Sequence, residues 1–279
     1  MFKFLFSFCL CALLSVQSIT ENAFKNSIKN PREYSCEGSV RAGVLPHHLT
    51  AAQIISGFFE LIKSGGEKYD TVIIVAPNHK GDLADIVVTE DGWNFGGNGK
   101  VSCDTELIKA LLDKKGRGLD VIENRSRVET DHSASVLIPY VNYYLPNAEV
   151  ATILVSRTMT LQETLNFSKT LNALLKNSEK NVLLLCSIDF SHYLQPREAM
   201  ENNETVIEAM ENSDYEKIHE FSNNYADSPA ALIVFLEFLN ENGLKAEILD
   251  NTDASEFIPG VQETTSYIVI GGVDGVCGT

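Results

Sequence analysis
The residues of this chain whose types and spacing could do chemistry are its histidines. His47 and His48 lie between a β-branched run and a helix start, and His79 closes Pro77-Asn78-His79 just after an apolar run. His132 opens a helix in Asp131-His132-Ser133, and His192 ends Ser187-Ile188-Asp189-Phe190-Ser191-His192. Only His219 lies away from such a junction, and it reads as a solvated helix residue. A single strand-end histidine is ordinarily a hydrogen-bonded loop residue, since imidazole both donates and accepts. Five of six at junctions, with none inside a strand, point instead to one shared site. Imidazole suits Fe, Zn, Cu and Ni, and two histidines with one carboxylate leave coordination positions open for substrate and oxygen. One of the His47/His48 pair and His79 supply the two imidazoles, and Asp227 in Tyr225-Ala226-Asp227-Ser228-Pro229 is the candidate carboxylate. An Asp ahead of a Ser helix cap also has a purely structural reading, because negative charge is favoured at a helix N-terminus. His132 and His192 are then acid–base candidates, and Asp189, three residues before His192, is placed to fix its tautomer. Asp131 and Asp189 read equally well as turn or cap residues.

These side chains need a frame. Short β-branched runs alternate with longer amphipathic segments, the pattern of a sheet covered by helices. The runs predict strands over 39–44, 71–76, 85–89, 120–123, 149–155, 182–187, 245–249 and 265–271. Val72-Ile73-Ile74-Val75 and Val182-Leu183-Leu184-Leu185 are apolar at every position, as in strands buried on both faces. Helices are expected over 51–63, 105–114, 133–144, 161–175, 196–212 and 228–242. Thr50-Ala51-Ala52-Gln53 has capping-box spacing, and Ser228-Pro229 places a cap before a first-turn proline. The expected fold class is α/β: a single domain with a largely parallel or mixed central sheet flanked by helices. In such open sheets ligands bind beyond the carboxyl ends of the strands, where the histidines fall.

Composition bounds the partners. The 279 residues carry 38 acidic and 22 basic side chains, a net charge of -16, and no basic stripe, which excludes nucleic acid. With 44% hydrophobic residues and no internal linker or repeat, the chain is neither disordered nor a disulfide-stapled miniprotein. At the start, Lys3, an apolar run from Phe4 to Leu14 and Val16-Gln17-Ser18 read as a secretory signal peptide over 1–18. A polar lead-in over 19–36 and one domain over 37–279 follow. About a dozen apolar residues fall short of the roughly 20 that span a bilayer, so no stable membrane insertion is expected after cleavage. The mature protein is therefore expected to be exported, periplasmic or extracellular; the alternative is a cytoplasmic protein with a buried first helix. Cleavage would discard Cys9 and Cys11 and leave Cys36, Cys103, Cys186 and Cys277, too far apart for a zinc or redox Cys-x-x-Cys signature. In an exported protein Cys36 and Cys277 are the favoured pair, and Cys186, ending an apolar run, reads as a packing residue.

The motifs also carry a resemblance. Leu45-Pro46-His47-His48, Ala76-Pro77-Asn78-His79, Asp131-His132-Ser133 with Pro139-Tyr140, Ser187-Ile188-Asp189-Phe190-Ser191-His192-Tyr193 and Thr265-Ser266-Tyr267 follow one another in this order. Across residues 40–270 the set resembles the Memo family, whose bacterial and archaeal members are called AmmeMemoRadiSam system protein B. The resemblance implies a single α/β domain similar to the class III extradiol dioxygenases, whose non-haem iron is held by two histidines and a carboxylate. It implies His47 and His79 as metal ligands, Asp189 and His192 as the Asp and His beside the metal, and His132 as a further pocket residue. His48 stands where better-known members have a small residue and is an auxiliary candidate. Many members supply a third ligand from a Cys-Gly-x-x-Pro stretch, whereas the matching region here offers Asp227 and no cysteine. Without a soft thiolate the expected metal shifts from copper toward iron or another borderline ion.

The functional expectation is an exported protein that binds one divalent metal, Fe(II) foremost with Cu or Zn as alternatives, through His47, His79 and Asp227. It would perform dioxygenase-like redox chemistry on a small organic substrate, with His192, oriented by Asp189, moving the proton. Two other readings stay open: a non-catalytic metal- or partner-binding protein, and a metal-dependent hydrolase.

Overall fold
The strands are β1 (Val40–Leu45), β2 (Thr71–Pro77), β3 (Ile86–Val88), β4 (Trp93–Asn94), β5 (Lys100–Val101), β6 (Val121–Glu123), β7 (Glu149–Val155), β8 (Val182–Ser187), β9 (His192–Leu194), β10 (Leu244–Asp253) and β11 (Thr264–Asp274). They belong to a computed structural model that describes residues 21–81, 83–94 and 99–274. The expected signal peptide over 1–18 and Cys277 lie outside the described residues. Nine strands form one mixed sheet in the order β10-β11-β1-β8-β2-β7-β3-β6, with β9 paired to β11, and β4 and β5 make a separate two-stranded ribbon.

The four middle strands, β1, β8, β2 and β7, are mutually parallel. β11 runs antiparallel to β1 on one side, and β3 runs antiparallel to β7 on the other. Register fixes where the parallel strands end. Val44 of β1 and Val75 of β2 both sit level with Cys186 of β8, and Pro77 sits level with Val155 of β7. The segments that follow β1, β2, β7 and β8 therefore leave the sheet side by side.

Burial on both faces explains the unbroken apolar runs. Ile73 and Val75 point into one core layer, and Val72, Ile74 and Ala76 into the other, so a period of two places every side chain in a dry environment. The helices are α1 (Ala52–Gly65), α2 (Thr105–Leu112), α3 (Arg125–Thr130), α4 (His132–Ser135), α5 (Ile138–Tyr144), α6 (Leu161–Lys176), α7 (Pro196–Glu211), α8 (Tyr215–His219) and α9 (Pro229–Asn242). α1 and α5 cover one face through Phe58, Phe59 and Val141, while α2, α6, α7 and α9 cover the other. Helix α9 is buried from Pro229 to Leu236 without interruption, as befits a helix apolar all round. Ser228 accepts a hydrogen bond from the Ala231 N–H and Pro229 follows at the first helical position, matching the cap expected there.

Several expectations change. The Thr50-Gln53 capping box does not form, because the chain enters α1 through a 3-10 turn, Leu49–Ala51, in which the Ala51 N–H reaches the His48 carbonyl. The helix expected over 133–144 is two helices, α4 and α5. The break falls at Val136–Leu137: Pro139, in the first turn of α5, has no N–H with which to carry the α4 ladder on, but is tolerated at a helix start. β10 and β11 run further than their apolar signatures, since backbone pairing extends through the polar stretch Asp250-Asn251-Thr252-Asp253. The short elements β4, β5, β9, α3 and α8 gave no periodic signal.

The lead-in is docked along its described part. Tyr34 donates to Asp250 Oδ2 at 2.7 Å, Arg32 pairs with Asp250 and Glu256, and Ser27 bonds Tyr140 at 3.0 Å. Among the described residues no helix is long and apolar enough to cross a membrane. Cys36, Cys103 and Cys186 are free, and burial pushes the thiol of the fully buried Cys186 up.

Candidate metal centre
Three neighbouring strands and two helix starts supply the site. Two residues beyond β1 comes His47, two beyond β2 comes His79, and two and five beyond β8 come Asp189 and His192. His132 opens α4, and Asp227 lies just ahead of the α9 cap.

Hydrogen bonds fix the two central imidazoles in one tautomer. The Ser187 hydroxyl donates its single hydrogen to the Ser133 carbonyl, so toward His47 Nδ1, 3.1 Å away, it accepts. His47 therefore carries its first hydrogen on Nδ1, so Nε2 is the nitrogen that can offer a lone pair once it is deprotonated. His79 Nδ1 donates to Asp131 Oδ1 at 3.0 Å, with the same consequence. Asp131 is itself pinned: it accepts the His79 main-chain N–H at 2.9 Å and the Ser133 N–H at 3.1 Å. A carboxylate behind a ligating histidine is the usual device for orienting the ring.

Both Nε2 atoms face Asp227. Its Oδ2 lies 3.2 Å from His47 Nε2 and 3.7 Å from His79 Nε2. Donors held at 2.0–2.2 Å from a common ion sit about 3.0–3.6 Å apart, and the two separations from Asp227 are at or close to that range. Asp227 is buried, and among the described residues neither of its oxygens has a hydrogen-bond partner. A buried carboxylate is costly unless positive charge meets it, and here that charge comes from the two imidazoles or from an ion bound between them. His132 completes a three-histidine group, with one donor atom each from His47, His79 and His132 all within 4.8 Å of one another. His132 stacks on His79 at 4.6 Å between ring centroids, and these two rings are the solvent-facing side of the cluster, with His47 buried beneath.

Charge among these side chains is shared out by proximity. Burial pushes His79 down, but the Asp131 and Asp227 carboxylates outweigh it and lift the imidazole to about 10. For His47 burial acts the same way, and Asp189 with Asp227 reverses it to a net rise. Asp227, raised by burial, is brought down to about 2 chiefly by His47 and His79. His132 goes the other way: burial and the two neighbouring imidazoles hold it below the usual histidine range.

The remaining candidates occupy the flank. Asp189 Oδ1 accepts the His47 main-chain N–H at 3.0 Å, and its Oδ2 stands 3.6 Å from His47 Nε2. Its hydrogen bond thus serves His47, whereas His192 Nδ1 is buried with no hydrogen-bond partner among the described residues. His48 Nδ1 meets the hydroxyl of the buried Tyr267 at 2.6 Å, and burial holds His48 low. His219 is away from the site and is not simply solvated, since its Nε2 bonds the Met159 carbonyl at 3.0 Å. Sequence reasoning missed Ser187 as the tautomer-setting group of His47 and Asp131 as that of His79. Asp131 does read as a cap, and it is one, but its second partner is 52 residues away and leaves no local trace.

Fold and site together define a mixed α/β domain whose sheet edge carries a three-histidine cluster able to hold a metal ion. The family profile of Memo-like proteins matches residues 16–269, and the chain belongs to the Memo family. A MEMO1 family protein of Pyrobaculum arsenaticum is 27% identical over 158 residues, 56% of this chain and 54% of that one. One from Methanosarcina barkeri is 29% identical over 187 residues, 66% of each chain. The chain thus spans from about half to two thirds of the length of these relatives. An uncharacterised protein of Escherichia coli K12 shares the fold at a TM-score of 0.53 with 13% identity, covering 83% of this chain and 99% of that one.

Proposed function
We propose that this Memo-family protein binds one divalent metal, Fe(II) foremost, through His47 Nε2, His79 Nε2 and Asp227, and performs dioxygenase-like redox chemistry on a small organic substrate. The observation that carries the reading is the convergence of two imidazole Nε2 atoms, each ring oriented through its Nδ1, on one buried carboxylate. Two imidazoles and a carboxylate, with no thiolate beside them, favour iron over copper. Iron in such a site would supply adjacent open positions for substrate and oxygen. The chain's own residues do the rest. Ser187 and Asp131 hold the two rings, the sheet core excludes water beneath His47, and neutral His132 on the open side can take a proton from a substrate hydroxyl. His192, with Nδ1 unpartnered, is the second proton carrier.

A second reading has its own support. The third imidazole, His132, gives a three-histidine set of the kind that holds Zn with water at the remaining position, which is hydrolytic chemistry. Metal analysis of anaerobically purified protein, followed by oxygen consumption with a catechol panel, separates the two. Iron with oxygen uptake supports the redox reading, stoichiometric Zn with no iron after reconstitution supports the hydrolase, and metal with neither activity leaves a binding protein. We also propose export, on the basis of the 1–18 segment; a native N-terminus at residue 19 is expected, and an intact Met1 on the recovered protein overturns it.

A further inference from the structure
We infer that Arg157 is a positioning residue for the Asp227 carboxylate, an inference that rests on Asp227 being a metal ligand. The Asp227 carboxylate meets only the His47 and His79 rings, and no hydrogen bond among the described residues anchors it otherwise, so its main chain fixes where the side chain starts. That main chain is gripped on both sides. The Asp227 N–H donates to the Asp189 carbonyl at 3.0 Å, and the Asp227 carbonyl accepts from Arg157 Nη1 at 2.8 Å. The other nitrogen of the same guanidinium, Nη2, donates to the Phe221 carbonyl at 3.0 Å.

Phe221 and Asp227 stand near the two ends of the segment that joins α8 to α9. One planar fork therefore staples the segment closed across its span, which a single ammonium donor cannot do with the same geometry. Arg157 follows β7 by two residues, and β7 ends level with β2. The staple thus ties the carboxylate to the same sheet edge that presents His79. Helix α9 does not need it, being fixed by its own Ser228 cap and by burial along its length. Removing a group that orients a ligand typically costs 10–100-fold in metal affinity.

The test is Co(II) binding to the full chain, read by titration and by the visible spectrum of the bound ion. Arg157→Ala is expected to weaken affinity about 10–100-fold and to change the spectrum, with Arg157→Lys falling between it and wild type. A double-mutant cycle identifies the route. If Arg157 acts through Asp227, adding Arg157→Ala to Asp227→Ala changes affinity no further, whereas a general structural role lowers it equally in both backgrounds. Arg157→Ala binding within twofold of wild type, or that equal loss, overturns the inference alone. A wild-type chain that takes up no Co(II), or Asp227→Ala binding as tightly as wild type, removes the ligand role of Asp227 and the inference with it. Should Arg157→Ala fail to fold, Arg157→Lys carries the same cycle.

Discussion
At position 79 one ring answers to two carboxylates. Asp131 and Asp227 outweigh burial and lift the His79 imidazole to about 10, so its Nε2 holds a proton above neutral pH unless a metal takes that position. A metal at Nε2 must displace a proton, and the raised His47 adds to the demand. Metal affinity is therefore expected to fall as pH drops from 8 to 6, about tenfold per unit for each proton displaced. Calorimetric titration with Co(II) in two buffers of different ionisation enthalpy measures that proton release directly; a pH-independent affinity contradicts the assignment. Asp131→Ala removes the acceptor of both the ring and main-chain N–H of His79, and about 10–100-fold weaker metal binding is expected. Asp131→Asn keeps one acceptor and should lose less. The residue types were legible in the sequence, but these pairings were not: His79 and Asp131 are far apart in the chain, as are His47 and Ser187.

Elements set the height at which the ligands emerge. Strand β1 lies close against α1 at Gly43, where an added Cβ would stand 2.2 Å from the Phe58 ring. Gly43→Ala is expected to destabilise the fold by about 1–3 kcal/mol through overpacking, read as a lower urea midpoint at unchanged slope, with partial recovery on adding Phe58→Leu. Asp104 caps α2 by accepting the Leu107 N–H, and it also accepts from the Thr71 hydroxyl and pairs with Lys180. Burial alone would raise this carboxyl, but the Thr71, Lys180 and Leu107 contacts bring it below its ordinary value. A carboxyl depressed on folding stabilises above its unfolded pKa, and the gain is lost as pH falls through the folded one. Asp104→Ala should therefore cost about 1–2 kcal/mol at neutral pH, and the difference from wild type should shrink in acid. The apolar runs of β2 and β8 announced buried strands because every position faces a core layer. The break ahead of Pro139 was written in the sequence too, as a residue with no N–H to carry the preceding helix on, although the surrounding apolar pattern hides it.

For the whole molecule, the site is coupled to stability. A ligand that binds only the folded chain stabilises it by about 2.7 kcal/mol at a concentration 100 times its Kd. For a domain of this size that is about 5–10 °C in Tm. Co(II) is expected to produce a shift of that order in the wild-type chain and little in His47→Ala or His79→Ala, measured by scanning calorimetry with and without chelator. Equal shifts in all three would place the metal elsewhere.

By itself the sequence determined the α/β class, the buried central strands and the clustering of histidines at strand ends. Those features are local: side-chain period, β-branched runs and turn chemistry act over a few residues. The tertiary structure decided what the histidines can do. Strand register brought His47 and His79 together, the start of α9 set Asp227 against them, Ser187 and Asp131 chose the nitrogen each ring offers, and Arg157 reached across from β7 to the Asp227 main chain. Contacts between residues tens to more than a hundred positions apart arise only when the sheet has paired, because no local pattern encodes which strand end will lie beside which.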